Sequence, residues 1–382
     1  MKIAIIGGGI GGLSAALALG RAGFEAEVFE QAPALLDAGA AIAVWPNAMR
    51  VLQRLDVGRE VIEQSGVIRQ ARWLNWDGTP FRRVRFPASD APAVALRRAD
   101  LQHILLQAVP GKLIHLGKHF ESYSQQGSGI KATFAGGASV NCDLLVGADG
   151  LHSRAREEAL NDGTPSYRGY TVWRGITPST PEGLEPETAI EIFGRGQRFG
   201  IGPVGQGRTG WWATRNEPEA AAEDASHHQS KLLKLFGNWH APVVELISQT
   251  PTADILRNSA YDRPPIKKWS DGRMILLGDA AHPTTPNLGQ GGCMAIEDAA
   301  TLARCLSGHK EDSRAALRRF ESLRQKRTAA LTRYSRRYGA IGQAEHPLAL
   351  RLRDRTLALM PESLAQGLLR MIFDYDVDRL RI

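Results

Sequence analysis

Cysteine is scarce in this chain. Cys142, Cys293 and Cys305 are the only three in 382 residues, an odd number without a CxxC pair, which argues against a disulfide framework or a structural zinc site and predicts a reducing compartment. Long hydrophobic runs are also missing: no apolar stretch approaches the roughly 20 residues of a membrane-spanning helix. The opening MKIAIIGGG enters a strand and a glycine loop directly, with no charged leader segment ahead of it. A soluble, cytoplasmic protein is the expectation. The chain has no internal repeat and no low-complexity tract. Its net charge of +7 is not gathered into a basic tail, so the excess points to an anionic substrate or cofactor rather than to nucleic acid.

What is present is a chain long enough for two domains, or for one large fold with an inserted layer. Lys2 to Ile6 is a short apolar run ending at Gly7, Leu13 to Leu19 is helical in texture, and Ala26 to Phe29 reads as a second strand. Together they predict a βαβ unit. Leu144 to Val146 and Met274 to Leu277 repeat the pattern of an apolar strand running into a polar glycine turn. All three strand ends are expected at one edge of a single sheet. Val67 to Phe86 and Thr171 to Asn216 alternate apolar and polar residues and carry aromatics, including Trp73, Trp173, Trp211 and Trp212, which predicts an inserted antiparallel sheet. Pro218 to Ser226 is expected to be a solvated loop or helix start. Asp312 to Tyr338 is helical and Arg-rich, the arginines forming a solvated or internally paired face, and Leu348 to Phe373 is helical with a break at Pro361. The amphipathic C-terminal segment is expected to pack on the first domain rather than on a membrane.

Gly7, Gly9 and Gly12 form GxGxxG between the first strand and its helix, and Glu30 closes the second strand. The first glycine allows the turn, the second lets a pyrophosphate approach the backbone, and the third lets helix and strand pack. The helix N-terminus offers N–H groups and the positive end of its dipole, and the acid suits a ribose hydroxyl. This constellation selects a dinucleotide and leaves NAD and FAD open. The stretch LLGDAAHPTTPNLGQGGC, from Leu276 to Cys293, favours FAD: Asp279 at a strand end can hold ribitol-side hydroxyls, and the N–H groups of Gly289 to Gly292 can face the flavin edge that becomes negative on reduction. Two other readings compete. Asp279 and His282 could belong to a phosphoesterase-type metal loop, although no DxH or GNH segment supplies further ligands. Alternatively, Asp279 merely caps the turn and His282 is satisfied within it. Cys293 reads as a small packed residue.

GGGIGG, GADGLHSRAR (Gly147 to Arg156) and LLGDAAHPTTPNLGQGGCMAIEDA, with GAAIAVWPN (Gly39 to Asn47) and Arg98 to Leu101, resemble the group A FAD-dependent flavoprotein monooxygenases of aromatic-hydroxylase type, most of all their urate hydroxylase and zeaxanthin epoxidase-like subgroup. The resemblance implies an α/β fold: a Rossmann-like FAD-binding domain of p-hydroxybenzoate hydroxylase type from 1–70, 97–170 and 266–340, an interleaved antiparallel-sheet substrate domain from 71–96 and 171–265, and C-terminal helices over 341–382. It assigns Gly7, Gly9, Gly11, Gly12, Glu30 and Gln31 to the ADP half of FAD, and places Ala43, Arg98 and Phe120 along the cofactor. Asp149, Asp279, Pro286, Gly289, Gln290, Gly291 and Gly292 complete the implied cofactor set. Arg198, Pro286 and Asn287 are the implied residues at the reacting centre. The implied chemistry uses bound FAD, transient NAD(P)H and O2: hydride reduces the flavin, oxygen adds at C4a, and the hydroperoxide hydroxylates or epoxidises a planar aromatic or conjugated small molecule in a dry pocket. Pro283, Pro286 and Leu288 suit its lining, and the Trp-rich insert its lid. Arg198 could hold an anionic substrate or be a surface strand residue. Where urate hydroxylases use Asn, Tyr and Asp, this chain has Val172, Gly210 and Asn287, which argues against urate. The rivals are an FAD reductase without oxygen insertion and a non-redox escort protein of the same fold.

Overall fold

Two large sheets organise the protein, which is described here from a computed structural model covering residues 1–34, 40–127, 129–219 and 224–382. Gly39 of the GAAIAVWPN motif and residues 220–223 of the expected Pro218 to Ser226 loop lie outside the described residues. The first sheet has six strands, in the order Ser270–Asp271, Met274–Leu276, Leu144–Gly147, Lys2–Ile6, Glu25–Phe29, Ile114–His115. The strands from Met274–Leu276 across to Ile114–His115 run parallel. Apart from the partly buried Ile114 on the edge strand, their apolar residues are buried, as a sheet covered on both faces requires. Because the strands at 2, 144 and 274 are adjacent and parallel, their C-terminal glycine turns meet at one edge. Here the loops of a doubly wound sheet place a ligand.

The helix Ile10–Arg21 follows the first strand and packs against Gly291–Gly308. Gly11 makes that contact possible: a Cβ there would sit 3.2 Å from Ala295 and from Leu277. The second sheet has seven strands, in the order Leu256–Asp262, Ser166–Thr177, Thr209–Asn216, Gln197–Pro203, Thr188–Phe193, Gln70–Asn75, Pro80–Arg85. One of its pairs, Thr188–Phe193 with Gln70–Asn75, is parallel, so the inserted sheet is mixed rather than purely antiparallel. The two strands come from distant parts of the chain, so no hairpin dictates their direction. Ala93–Arg97 joins neither large sheet; it pairs with Ala41–Val44 and Gly66–Ile68 in a small one.

Side-chain alternation divides the seven-stranded sheet into two faces. Trp173, Trp211, Phe199 and Ile192 point to one face and form a core with the helices His228–Phe236 and Val243–Gln249. Tyr170, Val172, Arg174, Arg198, Trp212 and Thr214 occupy the opposite parity. Pro347–Leu359 and Glu362–Phe373 follow the long helix Ser313–Gly342 with the expected break. Among the described residues no helix is long and apolar enough to cross a membrane.

Candidate functional site

The first glycine loop is built by steric necessity at two positions and left open at a third. Gly7 has φ +106°, and a Cβ there would lie 2.5 Å from the Ala148 carbonyl oxygen. A Cβ at Gly12 would lie 1.9 Å from the Gly7 oxygen, a contact only glycine permits. Gly9 meets nothing within 4 Å. Its vacant side marks where an approaching ligand would lie against the helix N-terminus. Glu30 accepts from the Gly8 N–H at 2.6 Å and the Ala32 N–H at 2.8 Å, which fixes its carboxylate beside the loop, and Gln31 is exposed next to it. Phe120 is buried in the main core, its ring edge-on to that of Phe134.

The second loop, at Gly278 to Gly292, is anchored by buried charge. Asp298 accepts from the Gly278 N–H at 3.0 Å and pairs with His282 Nε2 at 2.6 Å, while its other oxygen meets Arg324 Nε at 2.6 Å. Glu297 beside it binds Arg324, Arg327 and the Asn47 amide. His282 is buried with Nε2 paired to Asp298 and Nδ1 without a hydrogen-bond partner among the described residues, so its ring serves Asp298 rather than Asp279. Asp279 behaves in the opposite way. It is exposed yet enclosed by protein, which places it in a cleft; its carboxylate accepts no hydrogen bond among the described residues, and burial raises its pKa against the pull of His282 and Arg98. A Cβ on Gly291 would lie 3.6 Å from Asp279 Oδ1, so this acid sits at the N-terminus of the Gly291–Gly308 helix. Gln290 Nε2 beside it is buried with no partner. Gly289 has φ +61°, and a Cβ on it would meet Ala43 at 3.5 Å and the Trp45 indole nitrogen at 2.9 Å; one on Gly292 would meet Ile42 at 2.9 Å. The strand Ala41–Val44 thus closes over this helix start.

Asp149 is turned into its own loop, accepting from Ser153 Oγ and from the Ala155 N–H at 3.0 Å, with a pKa raised by burial. The link between the loops is Arg156, which is 1% exposed. It pairs with Asp162 and donates to the carbonyls of Ala280 and Ala281 at 3.1 and 3.0 Å. Arg156 lies inside the GADGLHSRAR motif, but nothing in its spacing reveals its target across the sheet.

Two of the residues expected at the reacting centre, Arg198 and Asn287, meet in one network. Asn287 donates to Tyr170 Oη at 3.0 Å, Thr285 Oγ1 at 2.9 Å and the Ser335 carbonyl at 2.9 Å, and accepts from Arg198 Nη2 at 2.5 Å. Arg198 is neither a surface residue nor free: it is 1% exposed, donates to Gln343 Oε1 at 2.9 Å and forms an ion pair with Glu191 at 3.0 Å. Tyr338 donates to the other Glu191 oxygen at 2.5 Å. Burial raises the Glu191 pKa against Arg198, and raises that of Tyr338 well above the usual phenol value. Gly339 and Gly342 make room on the long helix: Cβ atoms there would sit 2.5 Å from Asn287 Nδ2 and 2.7 Å from Arg198 Cδ. Two glycines three apart in a helical run were the available sequence signal for this packing. Pro286 is exposed beside the network, Pro283 is buried, and Leu288 packs partly against Met294 and Phe373. Val172 lies in a small apolar cluster with Tyr170 and Ala260, and Gly210 sits under Val204 and Ala41. Of the indoles expected as a lid, Trp173 and Trp211 are in the far core, whereas Trp212 is half-buried on this face and is set over Gly200. Cys293 is buried with its thiol pushed up to about 12 by burial, which leaves no thiolate nucleophile at neutral pH.

An open glycine approach at Gly9, an unpartnered carboxylate and a buried amide nitrogen without a partner at a helix start fit a cofactor with a pyrophosphate at one end and a polar ring edge at the other. The comparisons agree. The FAD binding domain family matches residues 1–335. Aurachin C monooxygenase/isomerase of Stigmatella aurantiaca is 41% identical over 367 residues, covering 94% of each chain. 3-Amino-4-hydroxybenzoate 2-monooxygenase of Streptomyces cremeus is 35% identical, covering 88% of this chain and 86% of that one. In structure, HpxO of Klebsiella pneumoniae, complexed with FAD and uric acid, superposes with a TM-score of 0.91 at 30% identity, over 97% of this chain and 96% of that one.

Proposed function

The chain belongs to the FAD binding domain family and is an FAD-dependent monooxygenase of the group A, aromatic-hydroxylase type; from this we propose that its substrate is a planar aromatic or conjugated small molecule that lies on Trp212. The observation that carries the reading is the partly buried Trp212 indole, set over Gly200 with Arg198 Cζ 5.3 Å from its ring centroid, on the face of the seven-stranded sheet that Asn287 joins to the cofactor loops. A flat indole wall favours a flat ligand by offset stacking.

When bound, FAD supplies the acceptance of hydride from NAD(P)H and the activation of O2 for transfer of one oxygen atom. The protein's part is to bind, orient and exclude water. Gly9 and the first helix N-terminus would take the pyrophosphate, Glu30 the ribose, Asp279 the ribitol hydroxyls, and the N–H groups at Gly291 and Gly292 the ring edge that gains charge on reduction. Asn287 would fix Pro286 over the reacting atoms by its bonds to Tyr170, Ser335 and Arg198. Val172 and Trp212 would exclude water from the substrate side. In this chain Arg198 has Glu191 as its counter-ion and Asn287 as its neutral partner, so it would orient the pocket rather than bind a substrate anion.

The test is substrate-stimulated NAD(P)H oxidation by the FAD-loaded protein across planar aromatic compounds, with 18O2 as oxidant and product mass measured. The expected outcome is a gain of one labelled oxygen for at least one compound that accelerates flavin reduction. Release of all reducing equivalents as peroxide with every accelerating compound would falsify the assignment of oxygen insertion and favour a reductase.

A further inference from the structure

We propose that Arg174 is the anion-binding residue of the substrate pocket, its guanidinium taking a carboxylate or ring-enolate oxygen of the planar molecule on Trp212. The inference rests on the pocket reading above and adds the charge class of the substrate.

Arg174 stands directly opposite Trp212 in the strand ladder, and Trp212 stands opposite Gly200. Cross-strand partners share a face, so cation and indole are presented side by side. Tyr170 and Val172 have the same parity, whereas Trp173 points to the far core and is fully buried. Arg174 has no counter-ion among the described residues: its one partner is the neutral Asn258 Oδ1, at 3.2 Å. Arg98, of like sign, acts on Arg174 and has no ion pair of its own among the described residues. Burial pulls the Arg174 pKa down from its ordinary value, with Tyr170 opposing and Arg98 adding to the shift. A guanidinium partly stripped of water and lacking an acid has the most to gain from an incoming anion. Arg198, on the next row of the same face, has no such vacancy, since Glu191, Gln343 and Asn287 occupy its donors.

Benzoate and benzamide, which share a shape and differ in charge, test this on the FAD-loaded protein through the change in flavin absorbance on binding. Wild type is expected to prefer benzoate. Arg174→Gln should lose about tenfold or more of benzoate affinity while holding benzamide unchanged, and Arg174→Lys should retain an intermediate preference, because a point charge replaces the planar fork. Unchanged benzamide binding shows that the variants are folded. NADH affinity, read from the concentration dependence of flavin reduction, should be the same in all three. Equal binding of the two probes by wild type, no binding of either, or loss of NADH affinity with benzoate preference intact, which would assign Arg174 to a nucleotide phosphate, each overturns the proposal. None of these readings depends on oxygen incorporation, so failure of the monooxygenase test leaves them separately interpretable.

Discussion

At the residue scale, glycines of one motif carry different burdens. Gly12 is fixed by a 1.9 Å approach to Gly7 inside the protein, and Gly9 by nothing the chain itself supplies. Substitution should separate the two. Gly12→Val is expected to abolish folding, since strand and helix can no longer meet. Gly9→Val should fold with unchanged circular dichroism yet bind FAD about tenfold or more weaker, because the added side chain fills the approach to the helix N-terminus and its N–H groups. Flavin content after equilibrium dialysis measures this, and full FAD retention by Gly9→Val would contradict the placement of the pyrophosphate there.

At the scale of elements, the loop holding Asp279 depends on charges at the interface of the helices Gly291–Gly308 and Ser313–Gly342. Burial opposes ionisation of both Glu297 and Asp298; Arg327 and Arg324 outweigh it at Glu297, and His282 and Arg324 at Asp298, so both pKa values fall below their ordinary 4.5 and 3.8. Carboxyls depressed on folding stabilise above their unfolded pKa values, and that contribution disappears as pH falls through the folded ones. Arg324→Met leaves two buried carboxylates short of a cation and should cost about 3–5 kcal/mol near pH 7. Without the cation their pKa values rise, so the deficit should narrow as the pH is lowered toward about 4.5. Urea denaturation at pH 7.5 and pH 5 checks this, and a deficit equal at both values would mean that packing, not charge, is what Arg324 supplies.

For the whole molecule, Asn287 joins the cofactor loop to the seven-stranded sheet through Tyr170 and Arg198 and to the long helix through Ser335. Asn287→Asp keeps an acceptor for Arg198 but removes the donor to the Ser335 carbonyl and adds a second acid on the far side of an arginine already paired with Glu191. A cost of about 1–3 kcal/mol follows from the unsatisfied carbonyl, visible as a lower melting temperature. An unchanged melting temperature would show that the amide is not needed for domain contact. The same position illustrates how legible the site was. The sequence places Asn287 at the reacting centre by resemblance, and treats its amide as evidence against urate; that the amide is matched to an arginine neutralised by Glu191 depends on a strand more than 90 residues away.

The sequence by itself determined the local chemistry: a glycine turn needs φ beyond zero, a βαβ unit needs alternating apolar runs, and a pyrophosphate needs bare backbone at a helix start. These are short-range constraints, written in consecutive residues such as Gly7 to Gly12 and Gly289 to Gly292. Only the tertiary structure decided which polar groups were already satisfied. His282 and Arg198 proved to be paired internally, whereas Asp279 and Arg174 have no ion pair among the described residues. Whether a charge is free for a ligand depends on partners brought together by strand pairing and helix packing at long separation, and residue identity alone carries no record of them.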